Sequence, residues 1–405
     1  MREHLSAIFL LILLLLGMAG WAQAETWKGR NLKLDIEKAP WHLGPFRIQP
    51  VLYLTDAGYD SNIYGLTDRV VDDYWFQAGP GVRAYVAIKK KIVFSVSESP
   101  RYVYFFKTAR ERAWNNYLTG EVSLLLTRAF LTGGVVYNNY KYRYPFEIDI
   151  WPRAREEGAF GSFLYQVSKK TSFSVGVRRT RYSFDNLDYE VYDIKGRLSR
   201  REDYLTVSGF YQVTPRIMFS ASGEYGLIDF DNPVSFGDAE SRAVYGGLDF
   251  SPTGNVRGSV KLGYKELRPR VAGRAGFKGV VGSANISFPV FRALTARAQY
   301  GRDVQFSMWF DNTFFIDDRY GAGLSLYVLR RRVRLDYDYS VNYDRYPIAA
   351  VDQKVDRESS TFGIVFRLKQ NIGIGIRGGT YRWRYNYYSG DSKRTFVGLN
   401  LTYDF

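Results

Sequence analysis

The sequence predicts an all-β fold, a transmembrane outer-membrane antiparallel β-barrel of about eighteen strands, with sixteen as the alternative count. Three observations carry this: an N-terminal export leader, apolar and polar residues alternating with period two, and connections that alternate between short and long. Composition agrees. Aromatic residues make up 17% of the 405, with 33 Tyr, 28 Phe and 8 Trp, a usage suited to rings seated where oil meets water. The absence of cysteine excludes a disulfide scaffold, a thiolate zinc site and a thiol nucleophile.

Residues 1–24 read as a signal peptide: Arg2 precedes the apolar run Ile8–Leu16, and Ala22-Gln23-Ala24 supplies a small-residue cleavage site. Residues 25–45 are expected to be a periplasmic N-terminal segment, and residues 46–405 the barrel. Divided among eighteen strands, the latter allow about twenty residues per strand plus connection, enough for the ~9–11 that span a bilayer. Beyond the leader no window approaches the ~18 uninterrupted apolar residues of a spanning helix. The mean hydropathy of −0.27 fits a barrel, because an alternating strand averages its oily face with its wet one.

Alternation is clearest in Val333–Tyr343. Odd positions there are apolar or aromatic and even positions are polar or charged, which leaves no apolar stripe on a helix but splits an extended chain into two faces. The pattern recurs in Leu294, Ala296, Ala298 and Tyr300, in Phe362, Ile364, Phe366 and Leu368, and in Val260, Leu262 and Tyr264. Eight short connections, near Lys89, Thr127, Ser168, Thr214, Pro252, Phe288, Arg330 and Lys369, are interleaved with nine long polar ones. That places both chain ends on the short-turn side, the layout of tight periplasmic turns and longer external loops. Glu98 with Pro100, and Gly378-Gly379, interrupt their strands and are expected to be bulges. At the C-terminus alternation runs to the last residue, and Tyr403 and Phe405 read as an assembly signal for the barrel assembly machinery.

If Leu335, Tyr337 and Tyr339 face lipid, their alternates face the lumen, since charge on the lipid face costs ~2–4 kcal/mol at the midplane. Applied strand by strand, this proposes Arg83, Arg101, Arg178, Arg257, Lys261, Arg297, Arg334, Arg367 and Arg377 as pore-lining cations, joined by Glu121, Glu224, Asp249, Asp303, Asp336 and Asp338. Such a lining suits a water-filled pore that favours anions, or ion-pair ladders that only brace the wall. The net charge of +15 is partly absorbed by Lys89-Lys90-Lys91, Lys169-Lys170 and Arg330-Arg331-Arg332 at short turns. Outer-membrane lipid and lipopolysaccharide are therefore expected partners, and nucleic acid is not, because the cations are spread over many strands. Outside the leader the only histidine is His42, so no catalytic residue, cofactor or metal is expected; the acidic runs near Asp185 and Asp229 read as solvated loops.

One stretch carries a family signature. Trp41-His42-Leu43-Gly44-Pro45-Phe46-Arg47-Ile48-Gln49-Pro50, followed by the turn Tyr59-Asp60-Ser61-Asn62-Ile63, resembles the opening of the β-barrel porin type 2 family, with its G-P-F-x-x-x-P and Y-D-S-N-I elements. The resemblance implies an outer-membrane barrel, often associated with exopolysaccharide production and secretion, and carries no catalytic residue. The expected function is a passive conduit for anionic solutes or one tied to exopolysaccharide export, with polysaccharide or periplasmic export components as partners. A non-conducting structural or adhesive barrel is the alternative, and an outer-membrane enzyme a second one.

Overall fold

The computed structural model describes residues 32, 36–37, 39–89, 91–141, 151–185, 193–232, 237–250, 255–271, 273–307, 313–347, 353–369, 372–387 and 390–404. The leader and Phe405 lie outside the described residues. The strands are β1 (Trp41–Leu43), β2 (Phe46–Asp60), β3 (Asp73–Ile88), β4 (Ile92–Glu98), β5 (Arg101–Phe105), β6 (Ala113–Leu125), β7 (Ala129–Lys141), β8 (Arg153–Gln166), β9 (Thr171–Phe184) and β10 (Arg200–Thr214). They continue as β11 (Ile217–Phe230), β12 (Ala239–Phe250), β13 (Arg257–Pro269), β14 (Phe277–Phe291), β15 (Leu294–Phe306), β16 (Phe314–Val328), β17 (Val333–Tyr346), β18 (Gln353–Lys369), β19 (Ile372–Tyr385) and β20 (Asp391–Asp404).

Every pairing is antiparallel; apart from β3 with β5 and β4 with β6 they join sequence neighbours, and β2 pairs with β20, so the sheet closes on itself. β1 is a stub paired only with the start of β2, and β4 and β5 are two halves of one passage, which leaves a closed barrel of 18 strands. Closure removes the sheet edges that would otherwise leave backbone groups unpaired in lipid. Full strands of 12–17 residues exceed the ~9–11 a bilayer needs, so the walls project beyond it.

The register separates the two faces. On one, large apolar side chains stand uncovered, among them Val135, Val177, Val244 and Leu262 at 58, 54, 63 and 61% exposure. On the other, side chains from strands that are not neighbours meet: the Arg200 guanidinium of β10 lies over the Phe306 ring of β15 at 5.3 Å, and Lys265 of β13 reaches Asp303 of β15 at 2.7 Å. Reaching five strands away is open only to the concave side, which identifies the lumen.

Irregularities fall where the backbone must bend. The break between β4 and β5 lies at Ser99-Pro100, as the interruption at Glu98 and Pro100 suggests, because proline cannot donate to the ladder. Gly378-Gly379 is not a bulge. Its register is continuous, Phe362 opposite Gly378 and Thr361 opposite Gly379, and the apparent break in phase reflects Tyr381 facing the lumen, stacked on Trp383 and Phe396. The bulge on that pairing sits instead at Arg367/Lys369, and a further one at Asp56 on β2, whose φ of 53° is left-handed.

Long connections at the outer end fold over the lumen. Ile63 and Tyr64 of the first one are buried against Val103, Phe105, Trp75 and Trp151. A short helix, α1 (Ile194–Leu198), is capped by Asp193 accepting from the Gly196 amide at 2.9 Å, and its Ile194 and Leu198 pack on Ala154 and Phe184. The Tyr64 hydroxyl donates to Glu111 at 2.8 Å and accepts from Arg110; burial and then that bond to Glu111 hold it well above the usual tyrosine range. At the inner end, Leu32 and Ile36 of the N-terminal segment pack against Val93, Leu125, Phe130 and Leu164.

Candidate functional site: the lumen wall

Register and alternation put all fifteen proposed lining residues on the lumen face, opposite the uncovered apolar one. They do not form one site. Arg83, Arg178, Arg257, Lys261, Arg367 and Arg377 are exposed to the lumen, whereas Glu121, Glu224, Asp249, Asp303, Asp336 and Asp338 are half-buried. These six cations reach further into the water than the carboxylates do, whereas Arg101, Arg297 and Arg334 are half-buried, and Arg297 at 28% is less exposed than its partner Asp338 at 48%.

One part of the wall is ion-paired. Arg297 of β15 contacts Asp338 of β17 at 2.8 Å and hydrogen-bonds Ser325 of β16; Ser325 donates to Asp336 at 2.6 Å, and Arg334 closes the chain onto Asp336 at 2.7 Å. Beside it lies a cavity of about 430 Å³ that Arg297, Arg334 and Arg377 share with Asp336, Asp338, Thr361 and Asn400, floored by Gly363 and Gly375. A volume in that range suits a small organic ligand.

Elsewhere the cations rest on rings. Arg101 lies 4.5 Å over Tyr53 and 5.4 Å over Tyr117, Arg178 4.9 Å over Tyr204, Lys261 5.4 Å over Tyr245, and Arg377 5.9 Å from Phe396. None of these four has a carboxylate within salt-bridge distance among the described residues. The rings lie flat because the residue opposite is glycine: a side chain at Gly226 would collide with Tyr204, and one at Gly263 with Tyr245. A cation held on a π-face keeps its N–H donors for a passing anion.

Of the remaining positions, Glu121 accepts from Ser123 at 2.8 Å and Asp303 pairs with Lys265. Further lumen groups escaped the sequence reading: Arg357 bonds Asp344 at 2.5 Å and Asp317 at 3.3 Å, and Arg319 bonds Asp317 at 3.0 Å. Their strands continue past the apolar band, where both faces turn polar and alternation no longer separates strand from loop.

The turn after the first strand works as a clasp. Asp60 is buried against Arg394 of the last strand, Ser61 exchanges bonds with Thr395 (2.9 and 2.8 Å), and Asn62 donates to the Lys393 carbonyl at 3.0 Å. Asp60 also accepts from the Asn62 amide at 3.0 Å, a local turn, while Tyr59 sits outward against Tyr74 at 5.1 Å. Tyr403 pairs with Leu52 and Ile372 where the barrel closes.

Several solved structures share this architecture. OccK3 (OpdO) of Pseudomonas aeruginosa is 14% identical with a TM-score of 0.51, covering 88% of this chain and 95% of its own. Pseudomonas aeruginosa OpdK, solved with vanillate, is 12% identical with a TM-score of 0.52 and covers 88% and 98%. OccK2 (OpdF) of the same organism, in complex with glucuronate, is 10% identical with a TM-score of 0.52 and covers 89% and 98%. At such identities the likeness concerns the fold. No curated protein matches. Residues 162–405 match the family described as Putative beta-barrel porin 2, a span that lies beyond the opening motif of residues 41–64 and rests on the strands themselves. The chain belongs to that porin family, and its place is the bacterial outer membrane.

Proposed function

We propose that the barrel is a passive, non-catalytic conduit across the outer membrane that prefers anionic solutes, with carboxylates as the favoured class. The observation that carries this is the unequal reach of the lining charges: exposed Arg83, Arg178, Lys261 and Arg377 against half-buried carboxylates. A solute in the lumen meets guanidinium and ammonium groups first, and rings of such groups select anions. Two of the structurally similar barrels were solved with glucuronate and vanillate, both carboxylates, which supports the choice of class. Uronate-rich polysaccharide presents the same chemistry repeatedly, which keeps polymer export within the reading. His42 takes no part, since it bonds the Ala39 carbonyl at the short-turn end.

Planar-bilayer recording with the full chain tests the conduit. Steady ohmic steps with a reversal potential displaced toward chloride in a KCl gradient are expected, and glucuronate should reduce the chloride current. Silence over many insertions would instead favour a structural barrel. Polymer assayed in a deletion strain tests export separately.

A further inference from the structure

The outward face carries a second ordered array of charge, at the outer ends of the strands and outside the lumen. Opposite charges stand directly across five of the seven pairings from β9 to β16: Arg179 by Asp203, Arg201 by Asp229, Arg242 by Glu266, Glu266 by Lys278 and Arg302 by Asp318. Ion contacts run through it at 2.6 Å for Arg179–Asp203, 2.6 Å for Arg268–Glu266 and 2.8 Å for Lys278–Glu266. In each pair the cation is the more exposed partner, 66% against 25% for Arg179 and Asp203. Arg179 uses Nε and one terminal nitrogen on Asp203, which leaves donors pointing away from the wall. Two residues inward along the same faces come uncovered apolar side chains, Val177 below Arg179, Val244 below Arg242 and Val280 below Lys278.

The belt is interrupted in one sector. Over β2 to β6 the same outward height holds rings, Tyr59, Tyr74, Phe76, Tyr104, Phe106 and Trp114, linked by centroid distances such as 5.1 Å for Tyr59–Tyr74 and 5.5 Å for Phe76–Tyr104. Arg112 lies 4.1 Å over the Tyr104 ring there, and on β17 to β19 paired cations resume with Arg345, Arg382 and Arg384.

We infer that the outward cations of β9 to β14, namely Arg179, Arg181, Arg201, Arg242, Arg268 and Lys278, form a binding surface for the phosphate groups of an acylated, phosphorylated glycolipid of the outer leaflet, lipid A in chemistry. Charge complementarity selects the phosphates, and the apolar strip directly inward takes the acyl chains. The carboxylates beneath hold the guanidiniums in place and keep the belt from repelling itself.

Native mass spectrometry of the detergent-purified full chain tests this with three probes: bis-phosphorylated lipid A, the same lipid A after enzymatic dephosphorylation, and vesicles of phosphatidylglycerol. The expected result is retention of bis-phosphorylated lipid A at least about tenfold above either other probe, and loss of that margin in the Arg179→Gln, Arg201→Gln, Arg268→Gln triple variant, with heat-modifiable gel mobility and channel conductance unchanged. Equal retention of the two lipid A forms, or of phosphatidylglycerol, overturns the inference from the native protein alone, whatever the variant does. Undiminished retention by a folded triple variant overturns the residue assignment.

Discussion

Arg297 and Arg178 both point into the lumen, yet they are held in opposite ways. Arg297, on the wall of β15 to β17, is locked between Asp338 and Ser325, with Asp336 and Arg334 completing the chain. Arg178 lies on the Tyr204 ring with no carboxylate in reach among the described residues, as Lys261 does on Tyr245. A guanidinium paired and largely covered, as Arg297 is at 28% exposure, braces a wall; one backed by a ring keeps its charge open to the lumen. The two readings weighed from sequence, selective pore or bracing ladder, thus describe different parts of one lumen.

That contrast can be broken most directly by charge reversal. Arg178→Glu with Lys261→Glu should swing the chloride-to-potassium permeability ratio by about tenfold, equivalent to ~1.4 kcal/mol, toward cations. Arg297→Glu with Arg334→Glu changes the formal charge equally but should move the ratio only about threefold. It gathers four carboxylates into one cluster, and carboxylates that close share protons and do not all ionise. Equal shifts of reversal potential in the two double variants would show that only net charge matters and that exposure does not.

A gentler test removes the support rather than the cation. Gly226→Val drives Tyr204 off the wall and Arg178 with it, so anion preference should fall about twofold; denaturant unfolding should show a loss of ~1–3 kcal/mol, the usual cost of overpacking. The smallest effect is expected for Asp338→Asn, which frees Arg297 partly: anion preference rises less than about twofold, and stability changes by under ~1 kcal/mol because the pair is half open to water. A large gain in selectivity from that variant would make the paired wall the dominant filter.

Val333–Tyr343 names its own strand and its own two faces, since side chains on an extended backbone alternate whatever the neighbours are. Arg357 and Asp344 were hidden because above the bilayer neither face needs to be apolar, so no contrast marks the strand. Gly378-Gly379 misled for the opposite reason: Tyr381 is an aromatic residue that belongs to the wet face. The Tyr59-Asp60-Ser61-Asn62 turn was legible as a turn, but not its partners Lys393, Arg394 and Thr395, which lie more than 300 residues away in the chain and meet it only when the cylinder closes.

By itself, the amino-acid order determined that this chain is a barrel of about eighteen strands, which positions of the strongly alternating strands face water and which face lipid, and that charges of both signs, with cations in excess, line the interior. These are local consequences of backbone periodicity and of the cost of charge in hydrocarbon. Only the tertiary structure decided which lumen cations are neutralised, which rest on rings, where the long connections fold inward and how the first strand is clasped to the last. Those depend on register between strands, and a one-residue slip in register re-pairs every side chain in the wall.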